Sequence, residues 1–124
     1  MRTETITYLT ETEEEFVKLF IAIGFKETVA KVLVYLAHVP TASSREIERG
    51  SGLRQPEVSI AMQQLLERKW VTFRDTREKA IGRPLRSYCL SKPIHAILDC
   101  IEREKKSEVR EHLRQVSNLR NYIP

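Results

Sequence analysis

A chain of 124 residues, 41% hydrophobic and 31% charged, with a formal net charge of +4 and a pI near 9.2, is expected to form one domain or one domain with an extension. No apolar run approaches membrane-spanning length, and the acidic start lacks the basic and apolar regions of a secretion signal, so the expectation is a cytoplasmic protein with no membrane partner. Cys89 and Cys100 are too few for a disulfide framework and lack CxxC spacing; they read as reduced, buried thiols, with a redox contact of Cys100 against its own copy as the alternative.

Residues 1–11 show little periodicity and read as a flexible arm. Thr12 followed by Glu13, Glu14 and Glu15 has the form of a capping box, a hydroxyl at the N-cap and a carboxylate three residues on. Phe16, Leu19, Phe20 and Ile23 then fall at helical spacing, and Gly24 closes the helix as a left-handed cap. Val29, Val32, Leu33 and Leu36 predict a second helix over residues 26–39, with Tyr35 at the edge of its stripe and Pro40 barring continuation. Ser43 or Ser44 caps a short third helix anchored by Ile47 and broken by Gly50, Ser51 and Gly52. Leu53 begins the return, and Pro56 suits the first turn of a fourth helix running to about Lys69. Val58, Ala61, Met62, Leu65 and Leu66 face inward on it. Arg54, Gln55, Glu57, Ser59, Ile60, Gln63 and Gln64 are left outside or at the boundary.

Trp70–Arg74 is rich in aromatic and β-branched residues and reads as a strand. Thr76–Pro84 is a basic hairpin loop, and Leu85–Leu90 returns as a second strand with Tyr88 and Leu90 on one face. Positive charge concentrates here: Arg74, Arg77, Lys79, Arg83, Arg86 and Lys92 face only Asp75 and Glu78. The start of the chain is acidic, with Glu4, Glu11, Glu13, Glu14 and Glu15 against Arg2 and Lys18. Ser91 caps a final helix with Pro93 in its first turn, running to about Ile123, roughly 45 Å at 1.5 Å per residue. Its apolar positions are Ile94, Ile97, Leu98, Ile101, Val109, Leu113, Val116, Leu119 and Ile123; the step from Ile101 through Lys105 to Val109 is a stutter or a bend.

The expected architecture is mainly α with a small β-hairpin, a winged helix-turn-helix with a long C-terminal dimerisation helix. Its parts are an arm over 1–11, a winged domain over 12–91 and the dimerisation helix over 92–124. Its chemistry points to double-stranded DNA. An α-helix fits the major groove, where base edges carry a donor and acceptor code. Arg54 suits guanine or a phosphate, the glutamines suit adenine, Ile60 suits a thymine methyl, and Glu57 accepts from cytosine. Arg54, Gln55, Glu57, Ser59, Ile60 and Gln63 are therefore the candidate base readers. Ser44 and Arg45, at the start of the third helix, and Arg77, Lys79, Arg83 and Arg86 are the candidate backbone and wing contacts; lysines and arginines there release counterions from phosphates. Arg83, between Gly82 and Pro84, is placed to enter a narrow minor groove.

The run from GFKETVAKVLVYL through ASSREIERGSGLRQPEVSIAMQQLLERKWVTFRD to GRPLRSYCLS resembles archaeal winged helix-turn-helix regulators of the TrmB-like and MarR-like kind, over about Gly24 to Ser91. The resemblance implies that the helix carrying Arg54–Gln64 is a recognition helix, that the loop carrying Arg77, Lys79 and Arg83 is a wing, and that flanking helices build a homodimer. The chain departs from the pattern at Lys69 and Trp70, where the family often has glycine. The sugar-binding domain of TrmB has no counterpart in this sequence, so sugar sensing is not carried over.

No GxSxG, no HExxH and no phosphate-cradling glycine loop is present, and His38, His95 and His112 are scattered without ligand spacing. The chain is not expected to be an enzyme or to hold a metal or cofactor; a small-molecule effector is left open but not indicated by any residue pattern. The apolar stripe of the last helix needs a partner, which a second copy supplies through Phe16, Leu19, Phe20, Ile94, Leu98, Ile101, Val109, Leu113 and Val116. The alternative is a winged-helix module of the transcription or replication machinery that binds another protein.

Overall fold

The computed structural model describes residues 9–76 and 85–124. Among these, α1 (Glu11–Ala22), α2 (Glu27–Ala37), α3 (Ser44–Ser51), α4 (Gln55–Glu67), β1 (Val71–Thr76), β2 (Leu85–Leu90) and α5 (Ile94–Arg120) follow in chain order. The mainly helical architecture with one antiparallel hairpin is the expected one. The chain divides into two units, Met1–Lys92 and Pro93–Pro124.

In the first unit, α1 begins two residues before the expected start. Thr10, not Thr12, is its N-cap: the Glu13 N–H donates to Thr10 Oγ1 at 3.1 Å, and the Thr10 N–H donates to Glu13 Oε1 at 3.0 Å. Thr10 and Glu13 have the same spacing as Thr12 and Glu15, and buried Leu9 anchors the chain just ahead of the earlier pair. Leu9 and Thr10 are thus part of the folded unit rather than of an arm; residues 1–8 lie outside the described residues.

The helix faces inward with Val17 and Phe20, whereas Leu19 is 67% exposed. It ends in a Schellman motif. Gly24 has φ 108°, its N–H donates to Ile21 O, and the Phe25 N–H donates to Phe20 O. The Phe20 and Phe25 rings then meet edge to face at 5.5 Å, the apolar contact that accompanies such a cap.

Helix α2 forms the centre of the core, with Val29, Ala30, Val32, Leu33, Val34 and Leu36 all buried. It stops at Ala37 rather than at Val39. His38 is the C-cap; its N–H donates to Tyr35 O, and its Nδ1 lies 2.8 Å from Val34 O and 3.4 Å from Glu13 Oε2.

Helix α3 starts at a second capping box, with Ser43 as the N-cap and Glu46 reciprocating. It runs through Gly50 rather than breaking there, and Gly52, at φ 75°, is its left-handed cap. A Cβ at Gly50 would stand 2.1 Å from Tyr35 Cε1, so glycine here permits close approach of α3 to α2 instead of ending the helix.

Helix α4 packs on α2 and α3 and ends two residues before Lys69, again in a Schellman motif. Lys69 has φ 64°, its N–H donates to Leu66 O, and the Trp70 N–H donates to Leu65 O. The left-handed position that glycine commonly fills is therefore Lys69, and Trp70 drops into the core ahead of β1 instead of belonging to it. Ser91 does not cap α5, whose N-cap is Pro93; its hydroxyl donates to Lys69 O at 2.6 Å, closing the base of the hairpin.

In the hairpin Val71 pairs with Leu90, Phe73 with Tyr88 and Asp75 with Arg86, placing these side chains on one face. An isolated antiparallel bridge between Ala42 and Tyr88 adds a pairing on the other edge of β2.

The second unit is α5, 27 residues of unbroken helix, about 40 Å at 1.5 Å per residue. The step from Ile101 to Val109 is a stutter without a break in the helix. The helix ends at Arg120 rather than Ile123, where Asn121 is the C-cap.

Candidate nucleic-acid interface

The helix-turn-helix pair is α3 and α4, joined at Gly52 and Leu53. One side of α4 is fixed by burial: Val58, Ala61, Met62 and Leu65 are its core side chains. Arg54, Gln55, Glu57, Ser59, Ile60 and Gln63 are all exposed. Gln55, Ser59 and Gln63 follow at four-residue steps and form one ridge, with Ile60 beside it at 57% exposure.

Glu57 has a second occupation. Its Oε1 accepts the Arg54 N–H at 2.9 Å, holding the first turn of α4. Oε1 therefore caps the helix, while the side chain stays exposed beside Arg54, Gln55, Ser59, Ile60 and Gln63.

Ser44 is the first residue of α3 and half-buried; Arg45 is exposed one position on. Arg49, one turn further along, is exposed too and was absent from the sequence-based set. Its four-residue spacing from Arg45 was the available signal.

Arg86 is not a free wing cation. Its Nε donates to Asp75 Oδ1 at 3.0 Å, and its guanidinium carbon lies 3.8 Å from the centroid of the Phe73 ring. The hydrogen bond to Asp75 raises its pKa further above the already high arginine range. Arg77, Lys79 and Arg83 lie outside the described residues.

The side chains assigned to self-association fall into two groups. Leu19, Leu98, Val109, Leu113 and Val116 are exposed, and Phe16 and Ile94 are half-buried. Phe20 is only 2% exposed and stacked on Phe16 at 5.1 Å, and Ile101 is 4% exposed. Both are buried side chains, unlike the exposed members of that set. Leu119, 66% exposed, extends the stripe of α5. Among the described residues no group of His, Cys, Asp and Glu side chains is arranged to hold a metal ion, and no helix is long and apolar enough to cross a membrane.

No protein-family model matches the chain, and no curated protein matches it. Solved structures do. A transcriptional regulator aligns with a TM-score of 0.58 at 16% identity, covering 92% of this chain and 77% of that one. A MarR family transcription regulator aligns with a TM-score of 0.54 at 15% identity, covering 90% and 73%. A possible transcriptional regulator from Methanosarcina mazei Go1 aligns with a TM-score of 0.59 at 13% identity, covering 90% and 94%. At these identities the likeness is one of fold.

Proposed function

We propose that this protein is a sequence-specific transcriptional regulator that binds double-stranded DNA as a homodimer, of the TrmB-like and MarR-like kind found in archaea. One observation carries the reading. Helix α4 has one side sealed by Val58, Ala61, Met62 and Leu65 and the other occupied by Gln55, Ser59, Ile60 and Gln63 behind Arg54. A helix of this kind enters the major groove. Glutamine amides donate and accept as the adenine edge requires, arginine pairs with guanine, and an exposed isoleucine meets a thymine methyl.

The fold, shared with solved structures described as transcriptional regulators, supports the reading. The exposed run Val109, Leu113, Val116 and Leu119 supports self-association, since an apolar stripe of this length on a soluble helix calls for cover. Two-fold pairing would set two copies of α4 about 34 Å apart, one turn of duplex, on a pseudo-palindromic site.

The test is a gel shift on random-sequence duplex across a salt series, followed by selection of the bound sequences. The expected outcome is a complex that weakens steeply with salt and a selected site with two-fold symmetry. Gln55→Ala or Gln63→Ala is expected to change preference at one base pair by about 1–3 kcal/mol. No retardation of any duplex at low salt overturns the reading.

A further inference from the structure

A cleft of about 500 Å3 between the first turn of α3 and the start of β2 is separate from the outward ridge of α4. Three arginines line it, Arg45 and Arg49 from α3 and Arg86 from β2. They converge because α3 and β2 pack together, and the Ala42–Tyr88 bridge pins the residue just before the α3 cap to the middle of β2.

The guanidinium groups of Arg45 and Arg49 make no hydrogen bond or ion pair with any described residue. Two carboxylates stand nearby and each is engaged. Glu46 Oε1 accepts the Ser43 N–H at 2.9 Å, turned back to the cap. Asp75 holds Arg86 through Nε, and the Tyr88 hydroxyl is a further hydrogen-bond partner of the same guanidinium, so Arg86 is seated from two sides with donors to spare among its five N–H groups. The Phe73 ring lies against the Arg86 guanidinium, 3.8 Å from centroid to guanidinium carbon, and packs it from one side. Three guanidinium groups against two carboxylates leave the cleft cationic, and the first N–H groups of α3, which have no partner within the helix, add partial positive charge.

We propose that this cleft is a clamp for one phosphodiester of the DNA backbone. It is held by Arg45, Arg49 and Arg86, with Asp75 and Phe73 as the positioning residues of Arg86. The inference rests on the DNA-binding reading and deepens it: it names a phosphate site and brings in Arg49. A tetrahedral oxyanion presented on an open rail suits three forks arriving from two elements; a planar carboxylate would be satisfied by one or two.

The test is the affinity of the full chain for random-sequence duplex by fluorescence anisotropy, plotted as log K against log salt concentration. The variants are Arg49→Gln, Asp75→Asn and the charge-matched control Arg110→Gln on α5, each checked for an unchanged melting transition. Arg49→Gln is expected to weaken binding severalfold for every duplex and to flatten the slope by about one, the loss of one phosphate contact, while Arg110→Gln leaves the slope as it was. Asp75→Asn removes a negative charge, so simple electrostatics would tighten binding; a positioning role for Asp75 weakens it instead. Binding by the wild type with an unchanged slope in Arg49→Gln overturns the clamp and leaves the DNA reading intact. Tighter binding by Asp75→Asn overturns the positioning role. Failure of the wild type to bind any duplex overturns both readings together.

Discussion

Gly50 and Tyr35 show how a single side chain decides the meaning of a glycine. In an isolated helix alanine would be favoured over glycine by about 1 kcal/mol. Here the added methyl would fall 2.1 Å from a Tyr35 ring carbon and 2.7 Å from its neighbours, and the ring has to give way. Overpacking of this kind costs about 1–3 kcal/mol, which outweighs the propensity gain. Gly50→Ala is therefore expected to destabilise by about 1 kcal/mol in urea unfolding, and the same change in a Tyr35→Ala background to stabilise by a similar amount. Equal effects in the two backgrounds would show that the ring is not the obstacle. The contact also keeps Tyr35 partly buried. That burial, with the Glu46 carboxylate nearby, pushes the phenol above its usual pKa, so the group stays neutral throughout the physiological range.

The end of α4 carries a comparable conflict at the level of a helix terminus. The Schellman bonds of Lys69 and Trp70 require a left-handed residue, and lysine fills it against its own preference. Lys69→Gly is expected to stabilise the fold by about 0.5–1 kcal/mol, the relief of strain less the extra freedom glycine has when unfolded. Unfolding at fixed protein concentration measures it; a loss would show that the lysine side chain contributes more than its backbone costs.

The elements themselves were largely legible in the residues. β2 occupies Leu85–Leu90 as expected, and the inward set of α4 follows from its 3.6-residue period, with only Leu66 left half-buried. The departures have physical causes. Two overlapping capping boxes compete at Thr10 and Thr12, and burial of Leu9 decides between them. A glycine inside α3 reads as a break until the ring opposite it is known. The convergence of Arg45 and Arg49 with Arg86 is a tertiary fact: the four-residue spacing sets the two arginines on one side of α3 but says nothing of β2. Nor does a pattern of charges reveal that Glu57 turns back to cap its own helix or that Asp75 seats Arg86.

For the assembled protein the proposed dimer makes the sharpest claim. Val109, Leu113, Val116 and Leu119 are 45–66% exposed along α5, and in a dimer each would be covered twice, once in each copy. Burying a leucine contributes about 1.5–3 kcal/mol, so Leu113→Lys, acting in both copies, is expected to raise the dimer dissociation constant by at least about 100-fold. Sedimentation equilibrium reads it directly, and on the proposed reading DNA affinity should fall with it, because one copy would hold only half a site. An unchanged dissociation constant would place the contact elsewhere.

The Ala42–Tyr88 bridge has a mechanical consequence. Two hydrogen bonds, Ala42 N–H to Tyr88 O at 2.9 Å and Tyr88 N–H to Ala42 O at 2.8 Å, weld the return strand of the hairpin to the residue immediately ahead of the Ser43 cap. On the proposed DNA-binding reading, a bending or twisting duplex that tugs on the hairpin would pull on the seat of α3 at the same moment. The hairpin behaves as a short lever hinged into the helix pair, and it cannot swing outward without first tearing that weld.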